Sequence, residues 1–400
     1  MTTVFSEFDA EALALRGATH TVTEILGQPG LWEDTASLVA AERPALAGFL
    51  QTALANPARS LVLTGAGSSA FIGELLQGPL ALALGRPVRA IPTTDLVTHP
   101  EAALAPGGPV LLVSFARSGN SPESVAALDR VDALLGDVHH LIITCAPEGL
   151  LARHPSRNPK RVLAMPARAN DRSLAMTGSF TSMALAGLLL GTLRQEVPWA
   201  KVQALAAQGR ALLAQGDLLR QAGALDFHRA IVLGSGPKLG AARESQLKLQ
   251  ELTAGRSFCG FDSFLGLRHG PKAAIDPGTL LIFLLAADPL VRRYEDDLLG
   301  EIDHGERGIF RLGVGAGSGA HLDGLLTLGD PALDDAWLAI PSVLAGQILG
   351  VYRSLANGLK PDAPSPTGAI SRVVQGVTIY PHPSADCRMT GEGDTHGTRP

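Results

Sequence analysis

Twice along the chain an apolar run of strand length breaks at a pair of glycines and resumes with helical spacing. Leu61 to Leu76 reads LVLTGAGSSAFIGELL, and Arg229 to Ser245 reads RAIVLGSGPKLGAARES. A strand that turns through glycines into a helix reaches its next strand by a crossover, and strands joined in this way pair in parallel, in a sheet covered on both faces. The turn also offers backbone N–H groups at the helix start to an anion. One such junction is a weak signal. A second, almost half a chain later, points to a repeated α/β unit.

From Arg59 onward strands and helices alternate. LVLT leads into a helix to about Leu84; PVRAI follows as a strand; PVLLVSF runs through the polar loop ARSGNS into a helix to about Leu135; LIITC and RVLAM complete the first set of strands. A helix-rich stretch from Ser179 to about Ala222 closes this unit. The second half repeats the order with strand AIVLG, a long helix, strand TLLIFLL, helix VRRYEDDLLGEI, strand GIFRLG and a helix from DDAWLAIPS onward. The pattern predicts an α/β fold of two tandem doubly wound domains with parallel sheets flanked by helices, over 55–219 and 220–380. Residues 1–54 read as an N-terminal helical extension interrupted at Pro29-Gly30, and 381–400, polar and rich in Pro and Gly, as a disordered tail.

Composition narrows the function classes. With 46% hydrophobic residues, 400 residues supply cores for more than one domain. A net charge of −5 with scattered Lys and Arg argues against a nucleic-acid partner. Three cysteines (Cys145, Cys259, Cys387) at no metal-ligand spacing indicate neither a disulfide framework nor a zinc site, and fit a reducing cytoplasm. No basic leader is present and no run reaches the roughly 18 apolar residues of a membrane span, so no membrane partner is expected. No cofactor and no metal are indicated. His139 and His140 have no partner at ligand spacing and are expected at the surface.

The chemistry concentrates in Arg243 to Lys272. Glu244, Lys248 and Glu251 fall at i, i+4 and i+7, so two carboxylates and an ammonium share one helix face. The leucines around the rest of that helix suggest packing on several sides, which would hold those charges near a cleft; the same spacing also fits a solvated face with an ion pair. The loop Arg117-Ser118-Gly119-Asn120-Ser121 precedes a helix and carries the groups that grip a phosphate monoester: hydroxyls, free N–H groups and a guanidinium. With Ser68 and Ser69 of the earlier loop, it could converge on one phosphate; serines at helix starts are also common N-caps. Asn170, Arg172, Ser173 and Thr177 lie between a strand and a helix, where they either bind sugar hydroxyls or cap. Asp262 either orients His269 or forms an Asx turn.

The loop ARSGNSPES, the GAGSS turn before it and the block KLQELTAG…RHGPK resemble sugar isomerase (SIS) domains in tandem, as in the isomerase half of glucosamine-6-phosphate synthase, over nearly the full chain. TVTEILGQPGLW, KLQELTAGRSFCGFDSFLGLRHGPK and RVVQGVTIYP are most similar to the galactosamine-6-phosphate deaminase/isomerase family, also described as tagatose-6-phosphate ketose/aldose isomerases. The resemblance implies catalytic roles for Glu251 as the C1–C2 proton shuttle, Lys248 beside the developing enolate-like oxygen, and His269 in ring opening from across a dimer interface. It implies phosphate binding by Ser69, Ser118 and Ser121, with Ser68 adjacent. Two departures stand out. Ala116-Arg117-Ser118 replaces the synthase's Ser-Gln-Ser, and the synthase's Schiff-base lysine has no counterpart in Arg372 to Val377.

The expectation is a homodimeric enzyme that acts on a small-molecule sugar phosphate, converting galactosamine 6-phosphate to tagatose 6-phosphate and ammonia. The alternatives are a glucosamine-6-phosphate deaminase, a plain aldose–ketose isomerase, and a non-catalytic sugar-phosphate sensor.

Overall fold

Strands β1 (Ser60–Thr64), β2 (Val88–Ala90), β3 (Val110–Ala116), β4 (Val138–Thr144) and β5 (Lys160–Ala164) form one parallel sheet in the order β2-β1-β3-β4-β5. The computed structural model describes residues 2–104, 108–374 and 376–381, so the tail expected over 381–400 falls, but for its first residue, outside the described residues. A second parallel sheet holds β6 (Arg229–Gly234), β7 (Phe258–Asp262), β8 (Thr279–Leu284), β9 (Phe310–Gly315) and β10 (Gly324–Thr327), in the order β10-β9-β8-β6-β7. Each sheet thus has a switch point, where the chain after one central strand moves to one side and later returns to the other: between β1 and β3, and between β6 and β8. Every residue of β3 and of β8 is buried, as strands covered by helices on both faces require.

The two sheets do not have separate interiors. One apolar cluster runs from Val22 and Trp32 through Leu63 and Phe180 to Val232 and Leu344, with two smaller clusters on the outer faces of the sheets.

The N-terminal extension departs from expectation. Thr19–Ala53 is one continuous helix that contains Pro29 and Pro44. A proline inside a helix costs about 3 kcal/mol by removing a hydrogen bond and crowding the preceding turn. Here Val22, Ile25, Pro29, Trp32, Ala36 and Val39 make a buried stripe at alternating spacings of three and four, and that burial outweighs the break. A chain of hydrogen bonds ties the stripe inward: Trp32 Nε1 donates to Thr181 Oγ1 at 3.0 Å, Thr181 Oγ1 to Gln28 Oε1 at 2.7 Å, and Gln28 Nε2 to Gln347 Oε1 at 2.6 Å.

Other corrections are local. Edge strands β7 and β10 lie where a helix-to-loop segment and a loop were expected. The Asp335–Ala356 helix is long and apolar enough to cross a bilayer, against expectation, yet 89% of its most apolar window is buried inside the protein. His140 is fully buried rather than at the surface, with Nε2 2.7 Å from Asp132 Oδ1. Burial raises the pKa of Asp132, but hydrogen bonds from His140, Ser156 and Asn158 bring it down to about 2.

Candidate active site

Because β2 lies on the far side of β1, the loops after β1 and β3 are neighbours at the carboxyl edge of the first sheet. After β1 the chain passes through Gly65 and Gly67 into the Ser68–Leu84 helix. A Cβ on Gly65 would stand 2.5 Å from the Ser69 backbone, so only glycine fits. After β3, Arg117 to Ser121 leads into the Pro122–Leu134 helix, where Ser121 holds the N-cap position without a side-chain capping bond. The Ser68–Leu84 helix likewise lacks a side-chain cap. Both helix starts and the residues Ser68, Ser69, Ser118 and Ser121 line one cavity of about 630 Å³. The N-cap reading of Ser121 is therefore not what its side chain does. Ser118 Oγ accepts from Asn120 N at 3.3 Å, and Ser69 Oγ lies 3.9 Å from Met176 Sδ.

The opposite wall belongs to the second unit. The Pro237–Leu252 helix brings Lys248 and Glu251 to the same cavity. Its charged face is not solvated: Glu244 is 0% and Lys248 1% exposed. Lys248 Nζ stands 3.5 Å from Glu244 Oε1 and pairs closely with Glu251 Oε2. Burial pushes the Glu244 carboxyl up to about 8, a rise that Lys248 only partly offsets. Burial would lower the pKa of Lys248, but Glu244 and Glu251 together hold it above its ordinary value. The arrangement is a fixed ammonium between two carboxyl groups, of which Glu251 is the more accessible, its side chain 23% exposed.

Arg117 lines the cavity but is committed to its wall. Nη1 donates to Leu174 O at 3.0 Å and Nη2 to Arg372 O at 2.7 Å. Residues 368–374 roof the cavity, and Arg372 anchors them, with Nε 2.9 Å from Asp171 O and Nη2 2.5 Å from Asn170 Oδ1. Asn170, Arg172, Ser173 and Thr177 do not line the cavity. Arg172 N and the Ser173 hydroxyl donate to Glu24, and Thr177 Oγ1 donates to Asp171 Oδ1 at 3.0 Å. Asp171, absent from the sequence reading, is the residue that organises this loop. Its carboxylate also accepts from Gly178 N and Ser179 N at 3.0 Å each, capping the Gly178–Leu190 helix. Glu24, also missed, sits in the N-terminal helix with its pKa raised by burial and by Asp171.

His269 is exposed and is not among the residues lining the cavity of its own chain. Asp262 accepts from its neighbour Ser263 N at 2.7 Å, one residue on rather than the two of an Asx turn. Cys145 and Cys259 are buried and unpaired; Cys387 lies outside the described residues. Among the described residues no group of His, Cys, Asp and Glu could hold a metal ion.

Residues 54–193 match the family model of the SIS domain. A Streptomyces coelicolor protein named as a candidate D-galactosamine-6-phosphate deaminase is 46% identical over 376 residues, covering 91% of this chain and 96% of that protein. D-galactosamine-6-phosphate deaminase of Shewanella sp. (strain ANA-3) is 38% identical, covering 93% of this chain and 94% of its own length. The crystal structure of a candidate tagatose-6-phosphate ketose/aldose isomerase from Clostridium novyi NT is similar with a TM-score of 0.90 and 37% identity, covering 94% of this chain and 98% of that one.

Proposed function

The chain belongs to the family of SIS-domain proteins that includes the D-galactosamine-6-phosphate deaminases, and on that premise we propose that it converts D-galactosamine 6-phosphate and water to tagatose 6-phosphate and ammonia. The observation that carries the reading is the buried Lys248 paired with Glu251 at one wall of a cavity whose other wall holds two uncapped helix starts and four serines.

In this reading the phosphate sits on the hydroxyls of Ser69, Ser118 and Ser121 and on backbone N–H groups of the two helix starts, with Ser68 beside them. Arg117 adds its charge and fixes the wall. The ring opens as a histidine moves the proton between the ring oxygen and O1. Glu251 then removes the C2 proton, acidified by the C1 aldehyde, while the Lys248 ammonium stabilises the oxyanion forming at O1. O1 takes a proton from the Lys248 ammonium and the C2 proton returns at C1, leaving a hydroxymethyl iminium at C2; water adds, the C–N bond breaks, the spare proton goes back to Lys248, and ammonia leaves a ketose phosphate. One carboxylate serves both steps.

The histidine is His269 of the partner subunit, delivered in a homodimer. Supporting this, His269 is exposed and away from its own cavity, and Phe258, Phe261 and Leu265 of the same segment are exposed apolar side chains.

Ammonia release from galactosamine 6-phosphate and from glucosamine 6-phosphate tests the proposal, with Glu251→Gln alongside. Release from the first substrate, lowered about a thousandfold in the variant with binding retained, is expected. Release from glucosamine 6-phosphate alone reassigns the substrate. Tight binding without ammonia from either sugar leaves the plain isomerase or the sensor, which a ketose assay on galactose 6-phosphate separates.

A further inference from the structure

The second strand–glycine–helix junction repeats the first in its backbone. Gly236 (φ 56°, ψ −126°) matches Gly67 (φ 55°, ψ −129°). Lys238 N donates to Ser235 O as Ser69 N does to Ala66 O, each at 3.1 Å. A Cβ on Gly234 would meet the Lys238 backbone at 2.3 Å, as one on Gly65 would meet Ser69 at 2.5 Å. Lys238 is therefore the counterpart of Ser69. Register makes Ala287 the counterpart of Ser118: Thr64 pairs with Ser114 and Leu233 with Phe283, and the two residues stand equally far beyond these pairs.

At the second junction a carboxylate of the chain itself takes the donors. Ala287 N and Asp288 N donate to Asp335 at 2.7 and 3.3 Å, and Lys238 Nζ is 3.0 Å from Asp335 Oδ1. Lys238 is 1% exposed and its ammonium also donates to Leu285 O. Burial lowers its pKa and Asp335 works against that. Two backbone N–H groups and a buried ammonium are the complement of an anion. A groove of about 1270 Å³, larger than the sugar-phosphate cavity, opens beside them.

We propose that the second switch point is an anion site filled from within: the Asp335 carboxylate stands where the sugar phosphate stands in the first, closing this sheet to a second phosphate and setting the catalytic helix in place. The comparison with phosphate rests on the function proposed above; Asp335 as an internal anion does not. Lys238 lies in the first turn of the helix that carries Lys248 and Glu251, and Asp335 begins the helix packed along it. Farther on, a Cβ on Gly346 would stand 2.4 Å from Ser245 Cβ, and one on Gly350 3.2 Å from Lys248 O. With no slack between the helices, a shift at the Asp335 end reaches the catalytic pair. Asp335 is a positioning residue.

Asp335→Ala in the full chain removes the carboxylate and leaves room for formate. The unfolding midpoint is expected to fall, and kcat for ammonia release about tenfold, with KM changed less than about twofold. Sodium formate, compared with sodium chloride at equal ionic strength, should raise the variant's midpoint and kcat and leave wild type unmoved. Formate acting alike on both proteins, or on neither, overturns the proposal. The midpoint is read without substrate, so it stands apart from the proposed activity. Should the variant not fold, wild-type crystals soaked in inorganic phosphate decide: Asp335 still on the Ala287 and Asp288 N–H groups supports the proposal, and phosphate there with Asp335 displaced overturns it.

Discussion

Glu244 shows how one side chain can be placed by spacing and still have its chemistry set by depth. Its position on the face of Lys248 and Glu251 follows from the helical period. Complete burial, which holds its carboxyl at a pKa of about 8 against an ordinary 4.5, does not. Between those two values the folded protein keeps a proton that the unfolded chain has released. The stability from this group is full below about 4.5 and is lost as pH rises through about 8. Glu244→Gln removes that dependence. Urea unfolding at pH 5 and pH 8 should show wild type losing stability relative to the variant as pH rises, by at most about 1.4 kcal/mol per pH unit. Parallel behaviour would mean that Glu244 is ionised throughout. The serines of the cavity were legible because each lies in or just beyond a loop that leads from a strand into a helix. Asp171 and Glu24 were not. Nothing periodic in Asn170 to Ser173 marks Asp171 as the residue that caps the next helix, and Glu24 acts through a loop remote in sequence.

At the level of elements, local signals succeed where an element is buried and fail at edges. β3 and β8 are continuous apolar runs and read as strands without ambiguity. β7 carries Gly260 in mid-strand and exposes Phe258 and Phe261, and β10 is four residues long, so neither has the alternation of a half-buried strand. Pro29 misled in the opposite direction, since its penalty is local while the compensating contact with the Trp199–Leu213 helix is tertiary. That contact is testable. A Cβ on Gly209 would stand 2.4 Å from the Trp32 ring. Gly209→Ala, which would raise the propensity of an isolated helix, should instead destabilise the protein by about 1–3 kcal/mol, measured as a lower urea midpoint at unchanged m. A stabilised variant would show that the helix pair can separate without cost.

The whole molecule is where the sequence is least explicit. Tandem α/β units were readable from the repeated junction, but not that their interiors merge into one core, nor that one cavity joins the serine loops of the first unit to Lys248 and Glu251 of the second. The proposed sharing of His269 between subunits belongs to this scale. Glu251→Gln and His269→Ala chains, each inactive alone, should recover about a quarter of wild-type activity when co-expressed in equal amounts, because half the dimers are mixed and each mixed dimer has one intact site of two. No recovery would remove His269 from the partner's site.

The roof at residues 368–374 has a consequence for the order in which the protein comes into being. The cavity joins residues from Ala66 to Val374, so a ribosome that has finished the first sheet has made the serines without Lys248 and Glu251, and one that has reached Ala356 has made both without the cover. Nascent chains therefore hold no complete cavity until synthesis has passed Val374, and dividing the coding sequence between the sheets would leave each product with only part of its lining.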